Sequence, residues 1–129
     1  MDFQQVEQYL LSKPEVIIHY PFGDDVKVFK VKNKMFATLS LGKLDKAENS
    51  KQVWWVNLKC DAEEAVMLRD IFSAVIPGFH MNKRLWNTVI LDGSIPTGEM
   101  ERMMDNSFNL VVSNMPSQDQ QSILLQLES

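Results

Sequence analysis

The stretch Val53-Trp54-Trp55-Val56-Asn57-Leu58-Lys59, followed by Cys60-Asp61-Ala62-Glu63-Glu64-Ala65-Val66-Met67-Leu68, changes its period halfway and so decides the fold. Its first half is rich in aromatic and β-branched residues, which suit a pleated, half-buried strand. Its second half opens on Asp61, a natural N-cap, with Glu64 at the capping-box position. Ala65, Leu68 and Phe72 then recur at helical spacing and predict an inward face. A strand feeding directly into a helix calls for a sheet with helices laid against it.

Upstream, the period is two from Val26 onward. Lys27-Val28-Phe29-Lys30-Val31 and Met35-Phe36-Ala37-Thr38-Leu39-Ser40-Leu41 read as strands joined by a turn at Lys32-Asn33-Lys34. Strict alternation puts Met35, Ala37, Leu39 and Leu41 on one face, with Phe36, Thr38 and Ser40 opposite. Residues 42–52 read as a polar loop. Residues 15–25 read as irregular, because Pro21-Phe22-Gly23-Asp24-Asp25 is dense in turn formers around one apolar anchor, Phe22. Residues 2–12 predict a helix capped by Asp2, with Phe3, Val6, Tyr9 and Leu10 on one face. Lys13-Pro14 ends it, since the residue before proline avoids the α region.

Downstream, Pro77-Gly78 breaks the chain, and Trp86-Asn87-Thr88-Val89-Ile90-Leu91 reads as another strand closed by Asp92-Gly93. Thr97 is expected to cap a long last helix. Met100, Met103, Met104, Phe108, Val111 and Met115 form its apolar stripe, which reads as core because methionine fills irregular gaps. Pro116 is expected to stop it. The order predicts an α+β two-layer sandwich, a largely antiparallel sheet with helices on one face. The other sheet face must meet water or bind something. Residues 1–116 form the expected domain. Residues 117–129 form a polar tail, with Ile123, Leu124 and Leu127 on a short amphipathic helix.

The 129 residues fit a single core, and 45% apolar with 23% charged residues is ordinary globular usage. Cys60 is the only cysteine, so no internal disulfide can form, which suits a reducing compartment. The N-terminal run has neither a basic nor an apolar region of the kind a signal peptide needs. No apolar run approaches the roughly 20 residues that cross a bilayer. A cytoplasmic protein without a membrane partner is expected.

Net charge is −4, which by itself disfavours nucleic acid. The charge is segregated, however. Residues 26–60 carry eight lysines against Asp45 and Glu48, whereas residues 1–25 and 61–129 are both acidic. Lysines along a hairpin commonly protect a sheet edge from aggregation. Two basic hairpins projecting from one sheet would also suit a DNA backbone.

Catalytic motifs are missing: there is no Gly-rich phosphate loop, HExxH, CxxC or GxSxG. His19 and His80 lie in different segments beside apolar or aromatic neighbours, Cys60 reads as a small core residue, and Asp24-Asp25 reads as a solvated turn. No catalytic residue, metal or cofactor is expected. The run Pro77-Gly78-Phe79-His80-Met81-Asn82-Lys83-Arg84-Leu85-Trp86-Asn87 stands apart, because it collects a cation pair, two amides and two aromatics around a bend. It reads either as an exposed basic turn with an aromatic over the core edge, or as an anion site. In the second case Lys83 and Arg84 neutralise a phosphate while Asn82 and Asn87 hydrogen-bond it.

These residues resemble the MmcQ/YjbR family, small bacterial proteins described as DNA-binding and built on the fold shared with bacterial frataxin. The likeness rests on Pro21-Phe22-Gly23, Val28-Phe29-Lys30-Val31, Lys34-Met35-Phe36-Ala37, Val56-Asn57-Leu58-Lys59-Cys60-Asp61 and Ser107-Phe108-Asn109-Leu110-Val111-Val112. Its most distinctive part is His80-Met81-Asn82-Lys83-Arg84 running into Trp86-Asn87-Thr88-Val89. It covers about residues 1–116 and implies an α-β-β-β-α-β-β-α order with DNA bound by a double wing. By position it makes His80, Asn82, Lys83, Arg84, Trp86 and Asn87 the candidate site, with Lys34 on the other hairpin. Leu85 departs from the polar residue relatives often carry, and no role transfers to the tail. The frataxin likeness does not extend to iron, since the first helix holds only Asp2 and Glu7 as acids. The alternative expectation is a non-enzymatic module that takes a protein or small anionic ligand at His80–Asn87.

Overall fold

The computed structural model describes residues 1–43 and 51–128. Helix α1 (Phe3–Leu11) leads into strands β1 (Val16–His19), β2 (Val26–Val31), β3 (Lys34–Gly42) and β4 (Val53–Lys59). Helix α2 (Ala62–Ile71) then precedes β5 (Val75–Pro77) and β6 (Trp86–Ile90), and α3 (Thr97–Ser113) and α4 (Ser117–Glu128) close the chain. The strands form one sheet in the order β1-β2-β3-β4-β6-β5, with every neighbouring pair antiparallel. This is the expected α+β sandwich, and it contains the expected order with β1 inserted after α1 and α4 added behind.

Local chemistry explains most of the layout. Asp2 and Gln5 close a reciprocal capping box at the start of α1, each bond 2.9 Å long. The β2–β3 hairpin turns on Lys32 and Asn33, with φ of 46° and 66°, the left-handed pair a two-residue turn requires. The methionine stripe of α3 is buried, and Phe108 meets Phe36 edge-to-face with centroids 5.3 Å apart. The Ser107 hydroxyl accepts the Lys59 amide at 2.9 Å and donates to the Phe36 carbonyl, which ties α3 to β3 and β4 at one point.

Several expectations are corrected. Residues 16–19 are not irregular: Val16 and Ile18 pack on the core while Ile17 and His19 face out, so β1 is an edge strand. A second short strand, β5, runs up to Pro77, so the break falls at Gly78. Strict alternation in β3 fails, because Phe29 faces Ala37 while Lys30 faces Met35, leaving one extra residue in β3. The resulting bulge turns Phe36 into the helix-covered core and lets Met35 line the open side with Thr38 and Ser40. Asp61 sits at the N-cap of α2 but makes no side-chain cap bond. The partner expected of it, Glu64, is held instead by Arg102 and Asn106 of α3. Thr97 is the first helical residue, with Pro96 in the cap position. Pro116 does end the long helix, and it also starts α4, where its carbonyl accepts the Asp119 and Gln120 amides.

Helix α4 is docked by the fully buried Ile123 and by Glu15, which accepts from Ser122 and Gln126. Leu124 and Leu127 stay exposed. Of the polar loop expected over 42–52, residues 44–50 lie outside the described residues and Gly42 belongs to β3. No helix among the described residues is long and apolar enough to cross a membrane.

Candidate ligand-binding concavity

The helices cover one face of the sheet, and loops border the other. The β5–β6 connection starts at Gly78, whose amide donates to the Trp86 carbonyl at 2.9 Å. His80 follows with φ of 61°, a conformation that a residue with a Cβ adopts at a cost. Asn82 Oδ1 then accepts the Arg84 and Leu85 amides at 2.9 and 3.3 Å, and Lys83 Nζ donates back to the Gly78 carbonyl at 2.9 Å. The loop is anchored on the sheet by Thr88, which accepts the Phe79 amide at 2.7 Å and donates to Asn57 Oδ1. Asn57 Nδ2 in turn donates to the Phe79 carbonyl at 3.4 Å.

This wiring redistributes the sequence-predicted site. Asn82 and Lys83 hold the loop in shape. Trp86 and Asn87 are buried and occupy adjacent, hence opposite, positions of β6. Asn87 faces the helices, donating to the Ala65 carbonyl at 3.2 Å, while its Oδ1 is buried without a partner among the described residues. His80, Arg84 and Lys34 are exposed. The Arg84 and Lys34 side chains make no hydrogen bond or ion pair among the described residues. The seven candidates therefore do not converge on one point.

Nor is the basic block a free track. Lys27 pairs with Glu7, Lys32 with Glu15 at 3.1 Å, and upstream Lys13 with Asp105. The Lys30 and Lys59 side chains, like Lys34, carry no such pair among the described residues. Cys60 is buried, and that burial, reinforced by Glu64 and Asp61, pushes its thiol up to about 11, which makes it a poor nucleophile. No group of three His, Cys, Asp or Glu side chains suited to a metal occurs among the described residues.

What does converge is a concavity of about 340 Å³ on the open sheet face. Its floor carries Thr38, Ser40 and Asn57, contributed by β3 and β4, with Thr38 and Asn57 directly paired across the strands. Trp55, Phe79 and His80 stand around that floor, with Met35 and Met81 also lining it. Phe22, 73% exposed, borders it from the β1–β2 loop together with Val26. Phe79 sits edge-to-face on Trp55 at 5.7 Å and against His80 at 4.1 Å, so the rings support one another. The Thr38 and Ser40 hydroxyls have no hydrogen-bond partner among the described residues. The sequence held one signal for this site: small polar residues alternating on β3 opposite an asparagine set in the apolar run Val53–Leu58 of β4.

The family model YjbR matches residues 11–110. The chain belongs to the YjbR family. It is 33% identical to the protein YjbR of Escherichia coli over 98% of this chain and all of that one. It is also 28% identical to YbdF of Escherichia coli, over 93% of this chain and 92% of that one. Among solved structures it resembles a Pseudomonas syringae protein (TM-score 0.76, 29% identity, 85% of this chain and 98% of that one). A Deinococcus radiodurans protein of the domain family DUF419 is similar as well (TM-score 0.78, 26% identity, 95% of this chain and 87% of that one). The family resemblance read in the sequence is thereby established, and the solved relatives share the α+β fold.

Proposed function

We propose that this chain is a binding module without chemistry of its own, and that its ligand sits in the open-face concavity. One observation carries the reading: three polar side chains from two central strands lie at the bottom of an apolar recess of about 340 Å³. Ligand sites are typically mostly apolar hollows of roughly 300–1,000 Å³ with a few placed polar groups. Hydroxyls with no partner in the protein are free to bond a ligand, and a ligand that covers them must satisfy them or carry the cost of burying them unpaired. The inert Cys60, and a recess whose described lining holds no nucleophile–base pair, support binding over catalysis.

A fragment screen by thermal shift, read together with the Met35 and Met81 methyl resonances, tests this. Fragments that raise the melting temperature should move both methyl signals. If stabilising fragments leave both signals in place, the ligand site is elsewhere.

A second reading, DNA binding, keeps one specific observation: Arg84, Lys34, Lys30 and Lys59 have side chains free of acidic partners among the described residues. Phosphate contacts of this kind weaken steeply between about 50 and about 200 mM salt. Fluorescence anisotropy with a short duplex should show that dependence, with a shallower slope in Arg84→Ala. Lack of binding at the lower salt removes this reading.

A further inference from the structure

Building on the concavity as the ligand site, we infer that its ligand is a neutral, flat heteroaromatic ring with hydrogen-bonding groups along one edge. The walls exclude most other classes. No Lys, Arg, Asp or Glu side chain among the described residues lines the recess, so a strongly charged ligand would lose hydration without a counter-charge there. The floor, in contrast, is a line of mixed donors and acceptors. Thr38 and Ser40 are two residues apart on β3 and so roughly 7 Å apart along one face. Each hydroxyl can donate and accept. Asn57, paired across from Thr38, spends its oxygen on Thr88 and only one amide hydrogen on Phe79, which leaves the other hydrogen to donate.

A polar edge of fixed length that alternates donors and acceptors is what a heteroaromatic rim presents. A purely hydrocarbon ligand would leave these groups unsatisfied, at a penalty of about 1–3 kcal/mol each. The flatness follows from the walls. Four rings from three separate segments, Phe22, Trp55, Phe79 and His80, surround the recess and favour offset or edge-to-face contact with another ring. Met35 and Met81 add thioethers, which make favourable contacts with aromatic rings. The volume lies at the small end for ligand sites, which fits one fused ring system.

The test titrates the full chain with adenine and, separately, with cyclohexanecarboxamide, following the Met35 and Met81 methyl signals. Both probes are neutral and both offer a donor and an acceptor, but only adenine is flat. Adenine should bind in about the millimolar range expected of so small a probe, and at least tenfold more tightly than the saturated amide. A Thr38→Val/Ser40→Ala variant should bind adenine about tenfold more weakly, with its fold checked by the unchanged shifts of remote methyls. Equal affinity for the two probes overturns the ring class while leaving the concavity as a binding site. Methyl signals that move with neither probe overturn the ring class, while the concavity as a binding site is decided by the fragment screen. A single-stranded oligodeoxyadenylate distinguishes the source. Tighter binding than adenine, weakened by salt, supports a ring carried on a strand, whereas weaker binding supports a free ring.

Discussion

Gly78 lies flat against Trp86: a Cβ at position 78 would stand 2.9 Å from both the Trp86 Cβ and the Trp86 carbonyl oxygen, and 3.0 Å from the Met81 Cβ. Two of these three contacts involve atoms fixed by the β6 backbone and its first side-chain bond, so relief requires moving β6 or the loop. Gly78→Ala should therefore destabilise the fold by about 1–3 kcal/mol, the usual range for overpacking. Urea denaturation measures it. Because Phe79, His80 and Met81 follow directly, the same variant should also weaken ligand binding in the concavity. A midpoint within error of the wild type would show that the loop moves freely.

Thr88 links three elements through one hydroxyl, accepting from the Phe79 amide and donating to Asn57. Thr88→Val keeps the shape and removes both bonds, leaving a backbone N–H and an amide oxygen unsatisfied at the edge of the recess. The expected loss is about 1–3 kcal/mol. Hydrogen exchange should localise it, with the Phe79 amide exchanging faster while the α3 amides keep their protection. Uniform loss of protection would instead mean that Thr88 supports the whole sheet.

Asn87 and Arg84 were drawn into one site by their sequence proximity, and the structure separates them. Asn87 is 2% exposed and holds the Ala65 carbonyl of α2, so Asn87→Ala should cost about 1–3 kcal/mol and leave anion or ring binding unchanged in the folded fraction. Arg84 is an exposed side chain, and Arg84→Ala should stay within about 0.5 kcal/mol of wild type in stability. Any effect it has should appear only in the salt dependence of nucleic-acid binding. Paired melts and titrations of the two variants test this division, and a stability loss in Arg84→Ala would contradict it.

Period and punctuation were enough for α1, β4, the methionine stripe of α3 and the sandwich class, because each is a local pattern facing one core. β1 was hidden because Glu15 to His19 lies between two turn-rich stretches, and its strand identity comes from pairing with Val28–Val31. Phe36 was assigned to the wrong face because a bulge shifts alternation by one residue and leaves no mark in composition. The concavity left only a faint mark for a related reason. Thr38, Ser40 and Asn57 become its floor only after β3 pairs with β4, and of the rings around them only Trp55 lies on a strand, the others coming from two loops distant in sequence. Adjacent cations make the basic loop conspicuous in sequence, although Lys83 bonds its own loop.

Tyr9 supplies a pH test of the α1–α3 contact. Its hydroxyl donates to Asp105 at 2.8 Å, and burial followed by that carboxylate pushes its pKa from 10.0 to about 12. The folded state thus holds this proton more tightly than the unfolded chain. Stability from this group is fully present below about pH 10 and is lost as pH rises through about 12, because only in that window does the folded state bind the extra proton. Cys60, raised to about 11 by burial, contributes in the same direction over a lower window that begins near 9. Tyr9→Phe removes the tyrosine share alone. Its stability should run parallel to wild type between pH 7 and 9, at a lower level because Asp105 keeps only its bond from Lys13. The two curves should then approach each other between about pH 10 and 12. Curves that stay parallel across that window would mean that the Tyr9 proton is held no more tightly in the fold than outside it, and that Lys13 alone keeps Asp105 in place.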